Sequence, residues 1–233
     1  MGPMTPLGAV AVPSGTLALL DDVPGAVPHM LIGEPGLWRV EAQAGEGPDE
    51  GRWTALRVVP PAPTEAAEGC VASTSGRLLI ADAAALESYF DASSVDGLGD
   101  CVFRGRDARE AARTLGAPEL EGRLFGWLDE PATEARRLYK RVVFERDERG
   151  LSLTVEERPH SRRFRALEAL SESPLAVAAV DLPGRPALLL STTWGPCEAR
   201  VESAPHGDGV RIGLAPFGGG GHHRPSSLPD ALP

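Results

Sequence analysis

Asparagine is absent from the 233 residues, and lysine occurs once, at Lys140, against 22 arginines. Codons rich in A and T are avoided, which points to a bacterium of high GC content. Arginine is then the default cation, so a cluster of arginines is no signal in itself. Cysteine is almost as scarce: Cys70, Cys101 and Cys197 are odd in number and far from any C-x-x-C spacing. That excludes a disulfide framework and a zinc site built on cysteine alone, and buried thiols in a reducing compartment are expected. Aromatic residues make up 5% of the chain, so Val, Leu and Ala must fill the core. Long apolar runs are missing, as is a basic stretch leading into an apolar segment. No membrane span or export signal is read, and a cytoplasmic protein is expected. Cations are outnumbered by acids, 23 to 33, for a formal charge of −10. Phosphate backbones repel such a surface, which argues against nucleic acid as the partner. A basic protein partner suits it, and solubility alone also accounts for it.

Hydrophobic residues at 42% are enough for a real core, while 27 glycines and 22 prolines call for many turns and short elements. The first apolar run is Thr16-Leu17-Ala18-Leu19-Leu20, a buried strand entered by Ser14-Gly15. Residues 1–12 before it read as a loose lead-in. Residues 37–42 and 53–59 alternate and form a hairpin across the polar turn 45–51. Pro60-Pro61-Ala62-Pro63 breaks the pattern, and 64–69 suits a linker. The expected organisation is a small N-terminal β module at 1–63, a main α+β domain at 70–217 and a disordered tail at 218–233. Within the main domain a short helix is read at 83–90, then helices at 107–115, 131–139 and 162–172. Strands are read at 101–103, 124–128, 141–144 and 151–157, and four more make a C-terminal meander at 175–180, 186–190, 198–201 and 210–214. The fold class is α+β, antiparallel and β-rich, with about three short helices. One echo runs across the supposed boundary. Ser14-Gly15-Thr16-Leu17-Ala18-Leu19-Leu20-Asp21 and Ser75-Gly76-Arg77-Leu78-Leu79-Ile80-Ala81-Asp82 both read Ser-Gly-x-Leu-x-(Leu/Ile)-x-Asp. Either one strand unit is duplicated, or the same turn enters two unrelated strands.

No nucleotide loop, nucleophile elbow or metalloprotease motif is present, and neither a cofactor nor a metal is expected. Of five histidines, His29 lies in a Pro-rich stretch, His206 in a polar turn, and His222 and His223 in the tail. His160 stands at the mouth of a helix that opens Ser161-Arg162-Arg163. The free N–H groups there, with Arg162, Arg163 and Arg165, suit an anion. The plainer reading is that Ser161 caps the helix and the arginines are its solvated face. Asp96, Asp100, Asp107 and the pair Asp129-Glu130 could supply carboxylates for acid–base work, though each also serves as a turn or cap residue. Cys101 or Cys197 beside His160 would make a nucleophile pair. Trp194, before the turn Gly195-Pro196, reads as a core anchor or the wall of a groove. His160, Arg162, Arg163, Trp194 and Asp107 are the ligand-binding candidates.

Three stretches, Val102-Phe103-Arg104-Gly105-Arg106-Asp107-Ala108, Arg158-Pro159-His160-Ser161 and Thr192-Thr193-Trp194-Gly195, resemble in order and spacing a group of uncharacterised bacterial proteins. In that group they read roughly V-F-W-G-R-D, R-P-H-S-H-H and T-T-W-G-D-G. The resemblance covers residues 70–215. This chain departs from it at Arg104, at Arg162-Arg163 in place of a histidine pair, and at Pro196-Cys197 in place of Asp-Gly. The resemblance implies no established activity; a place beside bacterial toxins is its weakest implication. The function expected is a non-enzymatic binding protein, immunity-like in one form. The alternative is an enzyme or small-molecule binder with a cleft near His160 and Trp194.

Overall fold

A computed structural model of the chain describes residues 4–65, 67–204 and 209–217. In chain order the first half holds β1 (Met4–Val12), β2 (Thr16–Asp21), β3 (His29–Ile32), β4 (Gly36–Ala44) and β5 (Trp53–Val59). Then come β6 (Glu68–Ser73), β7 (Arg77–Asp82), α1 (Leu86–Phe90), β8 (Leu98–Gly105), α2 (Ala108–Leu115) and β9 (Phe125–Pro131). α3 (Ala132–Arg149), β10 (Leu153–Pro159), α4 (Arg162–Glu172) and β11 (Val177–Leu182) lead to β12 (Arg185–Ser191), β13 (Cys197–Ser203) and β14 (Val210–Pro216). The class is α+β, and every strand pairing is antiparallel. Six strands form one sheet in the order β1-β4-β5-β14-β13-β6, five a second as β11-β12-β7-β2-β3, and three a third as β10-β8-β9. β5 hydrogen-bonds β14 and β2 hydrogen-bonds β7, so strands from 1–63 and from 70–217 build the same two sheets.

The echo in the sequence is half of a pseudo-twofold. Leu19 lies opposite Ile80 in the β2–β7 pair, and Asp21 opposite Leu78 just as Leu17 lies opposite Asp82. Each echo thus maps onto the other across a twofold at Leu19 and Ile80. The relation carries through the flanking strands. Val10 faces Trp38 across β1–β4, and Val71 faces Ala199 across β6–β13. Thr16 faces Ile32, and Arg77 faces Ser191. Gly33 N–H donates to Gly15 O at 2.9 Å, and Thr192 N–H to Gly76 O at 2.9 Å. In the six-stranded sheet the same axis passes between Arg57 and Arg211, directly opposite each other. The two copies are β1–β5 and β6, β7, β12–β14. Their aspartates hold the opposite copy's opening turn: Asp82 Oδ2 accepts from Ser14 N–H, and Asp21 accepts from the N–H groups of Thr74 and Ser75. Of the two readings of the echo, the duplicated unit is the one these registers fit.

The copies differ in one connection. Residues 22–28 join β2 to β3, whereas 83–184 join β7 to β12. The inner faces of the two sheets meet over Leu17, Leu19, Trp38, Val58, Ile80 and Ile212, all buried. β2 and β7 are apolar on both faces because the insertion covers the other one. Ala18, Leu20, Leu79 and Leu189 pack under Tyr89 of α1 and Ala166 of α4. This double burial is why Leu17–Leu20 reads as an unbroken apolar run rather than an alternation. The third sheet and α2 and α3 enclose a separate cluster around Phe103, Phe125, Ala111 and Val142.

Several expectations are corrected. Residues 4–12 are a nine-residue strand rather than a lead-in; Pro6 is tolerated because β1 is an edge strand. β6 begins inside the expected linker, at Glu68, and His29 opens a strand rather than lying in a loop. The expected strand at 141–144 belongs to α3, which runs 18 residues to a left-handed Gly150. Val142 points inward there, and Arg149 bonds Glu145 one turn back. The four helices among the described residues fall at the four places read as helical, with α3 running past its expected end at 139. The expected tail at 218–233, with His222 and His223, lies outside the described residues, as does His206.

Candidate functional site

His160 is the residue at which β10 leaves its sheet. Its N–H donates to Leu98 O at 3.1 Å, and its carbonyl accepts from Val95 N–H at 3.0 Å. Ser161 then caps α4, its hydroxyl accepting from Phe164 N–H at 3.2 Å, the arrangement a serine N-cap requires. The imidazole is buried, 1% exposed, and lies parallel to the Phe164 ring with centroids 5.1 Å apart. Nε2 lies 3.0 Å from Asp100 Oδ1, which also accepts from Asp129 N–H at 3.0 Å. Nδ1 lies 3.3 Å from Asp96 Oδ2 and 2.8 Å from Arg165 NH2. Arg165 donates to Asp96 at 2.5 Å, and that bond holds the Asp96 carboxyl far below the usual carboxylate range. Asp100, Asp129 and His160 offer donor atoms within 4.8 Å of one another. That donor set can take a cation or relay a proton. Its buried members, His160 and Asp100, already satisfy each other, which is also what a clamp between β8 and the start of α4 needs.

The other candidates do not gather around His160. Arg163 turns away to Asp22, donating from Nε at 2.7 Å. Asp22 is fully buried and also accepts from Arg77 Nε and the Tyr89 hydroxyl. Arg162 does not touch the His160 ring but lines a cavity of about 450 Å³ beside it, with Val95, Arg165 and Asp181. Asp107 precedes α2 but makes no side-chain cap; its carboxylate takes Ser152 N–H at 2.8 Å and Arg106 at 3.0 Å. Trp194 packs on the sandwich core, donates to Trp53 O at 2.7 Å and carries the Arg52 guanidinium 4.6 Å above its ring. Among the described residues, no hydrogen bond, ion pair or ring contact joins Trp194 or Asp107 to His160. Cys101 and Cys197 are buried, and burial pushes the Cys101 thiol up to about 12, so neither is an activated nucleophile. Cys70 is exposed, against expectation, because the solvent-side face of edge strand β6 carries it.

A second place carries no motif in the sequence. Where β3 and β6, the open edges of the two large sheets, come together, a cavity of about 600 Å³ lies between residues 23–29, Asp21 and 70–74. The His29 ring sits over Gly69 and its Nε2 is buried without a hydrogen-bond partner. Val27 is 86% exposed, Val23 is exposed with it at the cavity, and Met30 and Ile32 are exposed on the outer face of β3. Thr64 packs on Gly33, which places Glu65 and Glu34 at the far end of β3, while Glu68 begins β6. Residues 21–34, 64–65 and 68–74, which supply this corner, contain no lysine or arginine; Arg200 lies opposite Cys70 in the next strand and is paired with Glu198. The signal available in sequence was that gap in cations together with Val27, Met30 and Ile32. Compared with protein-family models, curated proteins and solved structures, the chain matches none. No described helix is long and apolar enough to cross a membrane.

Proposed function

We propose that the protein is a non-enzymatic binding protein that docks a basic protein partner on the corner between β3 and β6. One observation carries the reading: Val23 and Val27 are exposed at a cavity of about 600 Å³ on the open edge of β3, whose outer face exposes Met30 and Ile32, and the flanking Glu34, Glu65 and Glu68 lie in segments without lysine or arginine. Clustered exposed apolar side chains with a charged rim mark interaction sites. An acidic rim speeds the approach of a basic partner and makes it sensitive to salt. An immunity-like role, covering a basic effector, is one form such binding takes. The test is affinity capture from the native host with the wild type and with Met30→Arg, at low and at high salt. A stoichiometric basic protein, lost at high salt and lost with Met30→Arg, supports the reading. A clean lane, or a partner that Met30→Arg holds as well as the wild type, overturns it.

A further inference from the structure

The pseudo-twofold makes the two ends of the five-stranded sheet comparable. β12 and β3 are equivalent strands, since Leu188, Leu189 and Leu190 face β7 in the register in which His29, Met30 and Leu31 face β2. β12 has a further neighbour, β11, which the insertion supplies. Among the described residues β3 has none and ends the sheet. The hydrogen bonds agree in detail. Ser191, the equivalent of Ile32, donates its N–H outward to Ala176 O at 2.9 Å. Gly33 N–H points inward to Gly15 O, so by the alternation of an antiparallel ladder Ile32 and Met30 turn their N–H and C=O groups to the open side. The outer face of β3 carries Met30 and Ile32, exposed beside the covered Ala18 of β2. At the β12 end, β11 continues that face with Ala178, Val180 and Leu182, all buried.

An edge of this kind is a template for another strand. Charge decides which. Glu34, Glu65 and Glu68 flank it with no lysine or arginine in the same segments, and a second copy would bring the same carboxylates. We propose that β3 binds an extended, cationic segment of the basic partner by antiparallel strand addition, in the place that β11 fills beside β12. The inference rests on the reading that a basic partner docks at this corner, and adds the mode of binding. The incoming strand hydrogen-bonds Met30 and Ile32, lays small or apolar side chains on their exposed face and points its arginines or lysines at Glu34, Glu65 and Glu68.

The probe is an octapeptide of alternating arginine and valine, with a version N-methylated at every second amide so that one strand edge cannot hydrogen-bond. Binding is followed by calorimetry and by amide exchange. The expected result is salt-sensitive binding of the plain peptide, slowed exchange at Met30 and Ile32, and loss of about tenfold or more in affinity with the N-methylated peptide, the worth of about one net hydrogen bond. Ile32→Pro removes only an outward N–H from an edge strand and so leaves the fold intact; it is expected to weaken the plain peptide by a similar factor. Equal binding of both peptides with no protection at Met30 and Ile32 overturns strand addition while leaving a charge-driven basic partner in place. No binding of the plain peptide also overturns strand addition, and the captured partner then decides separately whether the docking reading stands. A dimer in sedimentation that Ile32→Pro abolishes assigns the edge to a second copy and overturns the cationic occupant.

Discussion

At the scale of single residues, the buried carboxylates divide the labour. Asp21 accepts from Ser75 Oγ at 2.5 Å, from Thr74 Oγ1 at 2.6 Å and from both backbone N–H groups. Burial works against its ionised form, but the hydroxyl and amide donors of Ser75 and Thr74 outweigh that and hold its carboxyl below the usual carboxylate range. A depressed carboxyl stabilises the fold fully above its unfolded value and loses that contribution as pH falls through its folded value. Asp21→Asn is therefore expected to cost about 1.5–3 kcal/mol at pH 7, the range for hydrogen bonds to a charged group. The difference from wild type should narrow below about pH 4; urea unfolding at pH 7 and pH 3 measures both. His160 is a test of another kind. His160→Ala leaves Asp100 buried with the Asp129 amide as its remaining donor, a loss of about 2 kcal/mol. Because the β3 corner is made of other elements, the same variant is expected to capture the basic partner undiminished. Loss of capture in folded His160→Ala would return the site to α4.

At the scale of elements, two glycines do the same job at the two ends of the sandwich for different reasons. Gly69 admits the His29 ring, and Gly8, its equivalent, admits Leu188. A Cβ on Gly69 would stand 2.3 Å from His29 Cε1, while the Gly69 backbone itself is one any residue can adopt. Gly69→Ala is thus a purely steric fault, expected to cost about 1–3 kcal/mol, and His29→Ala in the same chain should recover most of it. At Gly8 the φ of 151° disfavours any side chain, so truncating Leu188 should rescue Gly8→Ala far less. Thermal unfolding of the four variants reads the contrast. These strands also show what was legible. The helices read at 107–115 and 162–172 are plain because apolar spacing agrees with a left-handed Gly116 that ends the first and a Ser161 cap that opens the second. Residues 4–12 were not, since Pro6 and Gly8 look like punctuation unless the strand is known to be an edge that must admit Leu188. Arg141-Val142-Val143-Phe144 has the residue types of a strand; its place in α3 comes from tertiary burial of Val142 and the ion pairs around it, which local propensity does not contain.

At the scale of the whole molecule, the architecture was half visible. The match Ser-Gly-x-Leu-x-(Leu/Ile)-x-Asp is plain, yet it extends toward the N-terminus, through Gly8 and Gly69, Val10 and Val71, Ala11 and Ala72, into stretches whose composition suits a lead-in and a linker. The later match of Arg39-Val40-Glu41 to Arg200-Val201-Glu202 is hidden because 83–184 interrupt the second copy and destroy any constant period. The candidate corner was illegible for the same reason, because it is defined by what β3 lacks relative to β12. The insertion also covers an apolar outer face of the sandwich. Leu20, Leu79 and Leu189 sit on the outer face, under α1 and α4. If the insertion were a separate passenger, replacing 83–184 with a second loop of the 22–28 sequence would leave a ten-stranded sandwich that folds. Burying a leucine is worth about 1.5–3 kcal/mol, a large part of the stability of a domain of this size once several are exposed together. The shortened chain is therefore expected to aggregate or to bind a dye for exposed apolar surface, with no cooperative unfolding transition. Retaining α1 and α4 through β11 while deleting the third sheet with α2 and α3 should restore that transition, because the outer face is covered again. A soluble, cooperatively unfolding sandwich without the insertion would mean that the two sheets are sufficient alone, and that the double burial of β2 and β7 is incidental.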